Sequence, residues 1–214
     1  MFIRSTIMEK RAMSALKSIW DQPYTFWALL SLPAIPMIVG LASGDMRMIH
    51  QLLHPSGEFS ARFMIITMMI TPLTMLLRGW RGSRWLMKRR RYLGIAAFGY
   101  GLLHTILYLL DTGTVVLSVG EISKFYIWTG WLAFFIFVPL AITSTNGWIR
   151  RLGPKWKLLQ RWVYGAAVLT LLHWAALHDW GGIGPALVHF IPLALLETYR
   201  VYENRRRRSQ SLAV

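Results

Sequence analysis

Six stretches of mostly apolar residues, at roughly 24–42, 61–77, 92–110, 124–142, 159–177 and 184–201, leave few folds open to this chain. A helix that crosses a bilayer needs about 20 mostly apolar residues, and each stretch comes near that length. The gaps "ASGD", "RGWRGSR", "DTGT", "STNG" and "HDWGGIGP" carry the glycines and short polar residues that end helices. Only 15% of the 214 residues are charged, against roughly 25% in soluble domains. The pattern predicts an all-α integral membrane protein, a bundle of six transmembrane helices.

Basic residues orient the bundle. Of 24 lysines and arginines, 21 lie before the first stretch, between the second and third, between the fourth and fifth, or after the sixth. Positive charge collects on the cytoplasmic side, so both termini are expected there. Three regions follow: a cytoplasmic N-terminal segment at 1–23, the membrane bundle at 24–201 and a basic cytoplasmic tail at 202–214. The N-terminal "MFIRSTIMEKRAMSALKSIWDQPY" has no apolar core followed by a small-residue cleavage site, so no cleaved signal is expected. The net charge of +15 does not point to nucleic acid. Short basic loops beside membrane helices are explained by topology and by anionic lipid.

There are no cysteines. That excludes disulfides, thiolate-held iron–sulfur clusters and haem attachment through Cys-x-x-Cys-His. A metal would have to be held by histidine, carboxylate or a macrocycle.

Of six histidines, His50, His54 and His178 read as solvated residues of the outer loops. His104 and His173 lie inside apolar stretches. His104 stands 13 residues beyond Arg91 and His173 stands 12 beyond Arg161, rises of about 20 and about 18 Å along two parallel helices. Two imidazoles at one depth can approach opposite faces of a flat cofactor, or each can donate to a neighbouring helix and join the bundle. Gly101, three residues before His104, and Ala176, three after His173, leave room for a flat ring on the same faces. His189 reads as an interfacial or helix-joining histidine and as the substitute ligand.

"RRRYLGIAAFGYGLLHTILYLLDTG" (89–113), "LAITSTNGWIRRLGPKWKLLQRWVY" (140–164) with "LLHW" after it, and "ITPL" at 70–73 resemble the MsrQ family. These are haem-binding membrane subunits of bacterial periplasmic methionine-sulfoxide reductase systems, within the wider ferric-reductase-like transmembrane group. The similarity covers about residues 58–200. It implies b-type haem, one per chain, with His104 and His173 as axial ligands. The family's further histidine, in "W..LH..VY", is replaced by Gln160 in "WKLLQRWVY". Its counterpart falls at about Arg90 or Arg91, so an inner haem is not expected.

The resemblance further implies a multi-pass protein of the bacterial inner membrane that relays electrons without being the catalytic subunit. The donor would be quinol or a cytoplasmic flavin reductase, with quinone and FMN as further cofactors. The acceptor would be a periplasmic molybdopterin-dependent enzyme that repairs methionine sulfoxide. Arg90, Arg91 and Arg151 are candidates for flavin-phosphate or lipid contacts, and His178 and Asp179, in the loop 178–183, for partner docking together with the loops 43–60 and 112–123. No G-x-G-x-x-G motif marks a nucleotide domain. Two other readings stay open: a haem protein with another acceptor such as ferric iron, and a haem-free transporter or scaffold. Pro33, Pro36 and Pro192 interrupt spans as a transporter requires, but paired inverted repeats are not evident.

Overall fold

A computed structural model describes residues 22–117, 120 and 123–212, and every regular element among them is helical. Most of the segment 1–23 lies outside the described residues, as do 118–119, 121–122 and 213–214.

The first stretch is a broken helix. α1 (Pro23–Ser31) and α2 (Ala34–Ser43) meet at an angle of 51°. The cause is local: Pro33 and Pro36 remove two backbone donors, so the ladder cannot run through. Gly44 closes α2 at φ 68, a left-handed conformation that glycine adopts without strain. Asp45 then caps α3 (Met46–Leu76), its side chain accepting from Arg47 N at 2.9 Å.

α3 corrects the expectation of an outer loop at 43–60. Helix begins at Met46 and runs for 31 residues through Pro55. The segment is polar, yet one face is small and dry: Ser56, Ser60 and Ala61 are buried, and Ser60 Oγ donates to Ala97 O at 2.8 Å. Small residues let helix backbones approach closely in a membrane bundle. The partner is α4 (Arg81–Thr112), which a 3₁₀ turn (Gly113–Leu117) follows. Packing against α4 overrides the weak local propensity of α3's first turns. His50 and His54, expected in a loop, are therefore helical, and His50 Nδ1 bonds Asp111 at 3.1 Å.

α5 (Phe125–Ile142) ends at Thr143 and Ser144. Thr145 caps the short α6 (Asn146–Leu152), and Gly153 with Pro154 turns the chain into α7 (Pro154–Gln160). α8 (Val163–Ala175) carries His173, and α9 (Ile183–Leu212) closes the bundle. The stretch 159–177 is thus divided, and its longer helix is 13 residues long. Among the described residues three helices are able, by length and composition, to cross a membrane (Met46–Leu76, Arg81–Val115 and Phe125–Ile142), or four with α1 and α2 as one bent span.

Met64, Ile65, Met68, Ala97, Trp174 and Phe190 lead a core that joins α3, α4, α8 and α9. A second cluster, with Phe26, Leu30, Ile70 and Leu93, fastens α1 to α3 and α4. Outward faces stay apolar: Val188 is 70% exposed, Leu195 66% and Phe135 60%. A surface of that kind suits lipid, where helices satisfy their own backbone groups. The chain is a multi-pass membrane protein.

Candidate functional site

His104 on α4 and His173 on α8 bring their rings together, with centres 6.2 Å apart and planes crossed at 81°. Each ring is held in the same way. His104 Nδ1 donates to Leu53 O on α3 at 2.9 Å, with Ser56 Oγ 3.2 Å away. His173 Nδ1 donates to Tyr126 O on α5 at 2.6 Å. A carbonyl has a second lone pair beyond its helical bond, but the side chain four residues on normally covers it. Here that residue is glycine both times. A β-carbon at Gly57 would stand 3.1 Å from His104 Cε1, and one at Gly130 would stand 2.7 Å from His173 Nδ1. Glycine four residues after the accepting carbonyl opens the helix flank so that an imidazole can reach it.

With each Nδ1 committed to a carbonyl, the tautomer is set and Nε2 is the basic nitrogen. Metal-bound histidines are oriented by this kind of bond at the other ring nitrogen. Metal–imidazole bonds of about 2 Å, and about 1 Å more to each ring centre, put two rings sharing one metal about 6 Å apart. Among the described residues no group of three or more His, Asp or Glu side chains converges on a metal. Two imidazoles alone do not complete a metal's coordination, so the remaining ligands would come from outside the chain, as those of a macrocycle do.

The rings open into a cleft whose empty space, with its open mouth included, is about 960 Å³. Its walls are mostly apolar and aromatic, with Trp131, Ala133, Phe134, Phe137 and Trp174 among them. Gly101 lines it, against Ser60 Oγ, which a β-carbon would meet at 3.0 Å. A flat hydrophobic cofactor with a central metal fits this donor set and these walls.

Residues 56–171 match the family described as ferric reductase like transmembrane component. Relatives named protein-methionine-sulfoxide reductase heme-binding subunit MsrQ are similar along most of the chain. That of Azospira oryzae is 32% identical over 204 residues, covering 92% of this chain and 82% of the relative. That of Xanthomonas campestris pv. campestris is 39% identical over 153 residues, 70% of this chain and 68% of the relative. That of Rhizobium meliloti is 33% identical over 204 residues, 91% of each. No solved structure shows a significant match.

The chain belongs to the MsrQ family.

In this MsrQ-family chain the other sequence candidates are placed differently. Ala176 is buried but does not line the cleft. His189 has both nitrogens engaged: Nδ1 donates to Pro185 O at 2.7 Å and Nε2 accepts from Arg62 Nε at 3.2 Å. Its ring lies 4.9 Å from that of Trp174, a cleft residue, so His189 sits behind the site wall. Gln160 Nε2 donates to Leu140 O at 3.1 Å and to Thr143 Oγ1 at 3.4 Å. Arg90 turns inward to Thr71 Oγ1 at 2.7 Å, while Arg91 reaches Asn146 Oδ1 at 2.5 Å. Arg151 lies over the Trp148 ring at 5.6 Å, on the helix that Asn146 begins.

His178 and Asp179 are exposed in a turn where three consecutive side-chain-bearing residues are left-handed, at φ 54, 53 and, for Trp180, 70. Such residues cost about 1 kcal/mol or more each and persist only where the surroundings hold them. Gly182 supplies the hold, packing so closely on the Trp174 carbonyl that no side chain fits, and Trp180 stacks on Phe125 at 5.9 Å.

Sequence reasoning missed Gly57 and Gly130, the two carbonyls, and His54 and Glu58, which also line the cleft. The available signal was a glycine level with each histidine on a neighbouring helix. Its use required knowing which helices are neighbours.

Proposed function

We propose that this chain is the haem-binding, electron-relaying membrane subunit of a methionine-sulfoxide reductase system. It crosses the bacterial inner membrane six times with both termini in the cytoplasm, as an N-terminal segment (1–23), a haem domain (24–201) and a basic tail (202–214). One b-type haem is held through Nε2 of His104 and of His173. The observation that carries this reading is the pair of imidazoles, 6.2 Å apart, each with Nδ1 bonded to a carbonyl. Haem held by both imidazoles would supply one-electron transfer, with no position left open for substrate.

The chain's own residues prepare that chemistry. The Leu53 and Tyr126 carbonyls keep the donor proton on Nδ1 and raise the basicity of Nε2. Phe134, Phe137 and Trp131 exclude water from the cleft, which with ligand type sets the potential. Gly101 lets a flat ring pass close to α4. Electrons come from quinol or a cytoplasmic flavin donor, FMN included, and Arg90, Arg91 and Arg151 serve phosphate or lipid headgroups on that side. The acceptor is a periplasmic molybdopterin-dependent methionine-sulfoxide reductase, docked on the held turn of His178 and Asp179. Support for the acceptor lies in the relatives' names, and methionine sulfoxide is a reversible lesion that a dedicated reductase can repair.

The test is a reduced-minus-oxidised spectrum of the purified chain and three variants. His104→Ala and His173→Ala lose the haem absorbance and His189→Ala keeps it; haem retained in either of the first two contradicts the assignment. For the acceptor, the reduced chain is reoxidised by the purified partner when methionine sulfoxide is supplied, and more slowly in Asp179→Lys.

A further inference from the structure

The cleft is unevenly polar. Toward the start of α3 and the end of α4 it is lined by His54, Glu58 and Tyr108; toward the opposite end Gly101, Ala133 and Phe137 line it, with Thr170 as the polar group there. Between the two ends, the Ser60 and Thr105 hydroxyls donate to the carbonyls of Ala97 and Gly101. Haem b is itself lopsided, with two carboxylates on one edge and methyl and vinyl groups on the others. Ionised carboxylates require donors, cations or water, and burying them without partners is costly. Apart from His104 and His173, the ionisable groups of this cleft stand at one end only, while the other end offers a single hydroxyl, that of Thr170.

We propose, resting on the haem reading above, that His54 binds the haem carboxylate edge, so that the carboxylates point toward the Met46 end of α3 and the hydrocarbon edge lies against Ala133 and Phe137. The His54 side chain is 55% exposed, and its Nδ1 stands 3.6 Å from Glu58 Oε1. Water can therefore share the carboxylates' solvation there. Glu58 would repel a dianionic edge, but Arg62 Nη2 holds its other oxygen at 2.7 Å. That guanidinium is in turn fixed by donating to His189 Nε2 at 3.2 Å. The rim thus offers an imidazole donor beside a carboxylate already neutralised. His54 is a binding residue for the edge of the cofactor, with no part in ligating its metal.

The experiment strips the full-length chain in detergent and titrates it with haem and with haem dimethyl ester, which keeps the ring and metal but has no ionised edge. Binding is read from the absorbance change of the porphyrin. Wild type prefers haem to the ester. His54→Ala lowers that preference about tenfold, the value of one hydrogen bond to a charged group. Glu58→Gln raises it, because the Arg62 guanidinium beside the rim is then no longer offset by a carboxylate. Ester affinity is unchanged in both variants, which controls for folding; should His54→Ala bind neither ligand, the rise or its absence in Glu58→Gln decides. A preference unmoved by both substitutions overturns the proposal. Failure of wild type to bind either porphyrin overturns the haem reading instead, a separate outcome.

Discussion

Around His104 and His173 the bundle brings two imidazoles to 6.2 Å beside an apolar cleft, with neither Nδ1 left free. At the other end, near Gln160, the polar side chains close on one another. Arg90 bonds Thr71, Arg200 bonds both the Tyr164 hydroxyl and Glu197 at 2.9 Å, Arg91 bonds Asn146 and Gln160 bonds two groups of α5. Both ends hold ionisable or amide groups between the helices, which is costly without partners. Yet the first end spends one nitrogen of each ring on structure and keeps the other, whereas the second spends nearly everything on structure. The comparison separates a site from a polar joint better than polarity or depth does.

The largest effect that sharpens this contrast is expected at Gly130. Gly130→Ala brings a β-carbon to 2.7 Å from His173 Nδ1, so the ring must leave the Tyr126 carbonyl. Losing such an orienting bond lowers metal-site affinity about 10- to 100-fold, measured here by haem titration. Gly57→Ala meets His104 less tightly, at 3.1 Å, and should sit at the lower end of that range. Equal affinity in Gly130→Ala and wild type would break the idea that the carbonyl bond prepares the ligand.

Next comes the joint. Arg90→Met leaves the Thr71 hydroxyl without its donor and removes a charge near Glu197 and Arg200. We expect a loss of about 1–3 kcal/mol in stability, seen in detergent melting, with the haem content per folded chain unchanged. A matching loss of haem would show that the second end also serves the cofactor.

A smaller effect lies at the tail. Glu203 on α9 accepts from Arg207 at 3.0 Å, with Arg78 and Arg206 also against it, and this set holds its carboxyl below the ordinary carboxylate value of 4.5. A carboxyl depressed in the folded state contributes stability above its unfolded pKa and loses it as pH falls through the folded one. The melting difference between wild type and Glu203→Gln should therefore be full at neutral pH and shrink below pH 4.5. A difference that stays constant through that range would mean the charge of Glu203 contributes nothing.

The smallest expected effect is none. Gln160→His restores the family's residue, but Arg90 and Arg91 stand where its partner would be needed. Haem per chain should not rise, and a second haem in that variant would break the comparison outright.

Much of this was legible before the structure. Rise per residue alone put His104 and His173 at one depth, and the helices bring their rings to 6.2 Å. Pro33 and Pro36 marked the break between α1 and α2, because a missing backbone donor acts locally. Helix over 46–60 was not legible: Pro55, Gly57 and two histidines mask a small-residue face at Ser56, Ser60 and Ala61 whose meaning comes only from α4. Nor were Gly57 and Gly130, since a glycine inside a helix says nothing of what it admits until the neighbouring ring is known. For the same reason Ala176, spaced correctly from His173, does not line the cleft. Local chemistry reads from sequence, and contacts between distant segments do not.

The central claim is one cofactor between two prepared imidazoles. The most direct test is the haem-to-chain ratio of the purified wild-type protein, measured with its reduced-minus-oxidised and electron-paramagnetic-resonance spectra. The account predicts one low-spin b-type haem with two imidazole ligands. No haem, or two, would contradict it.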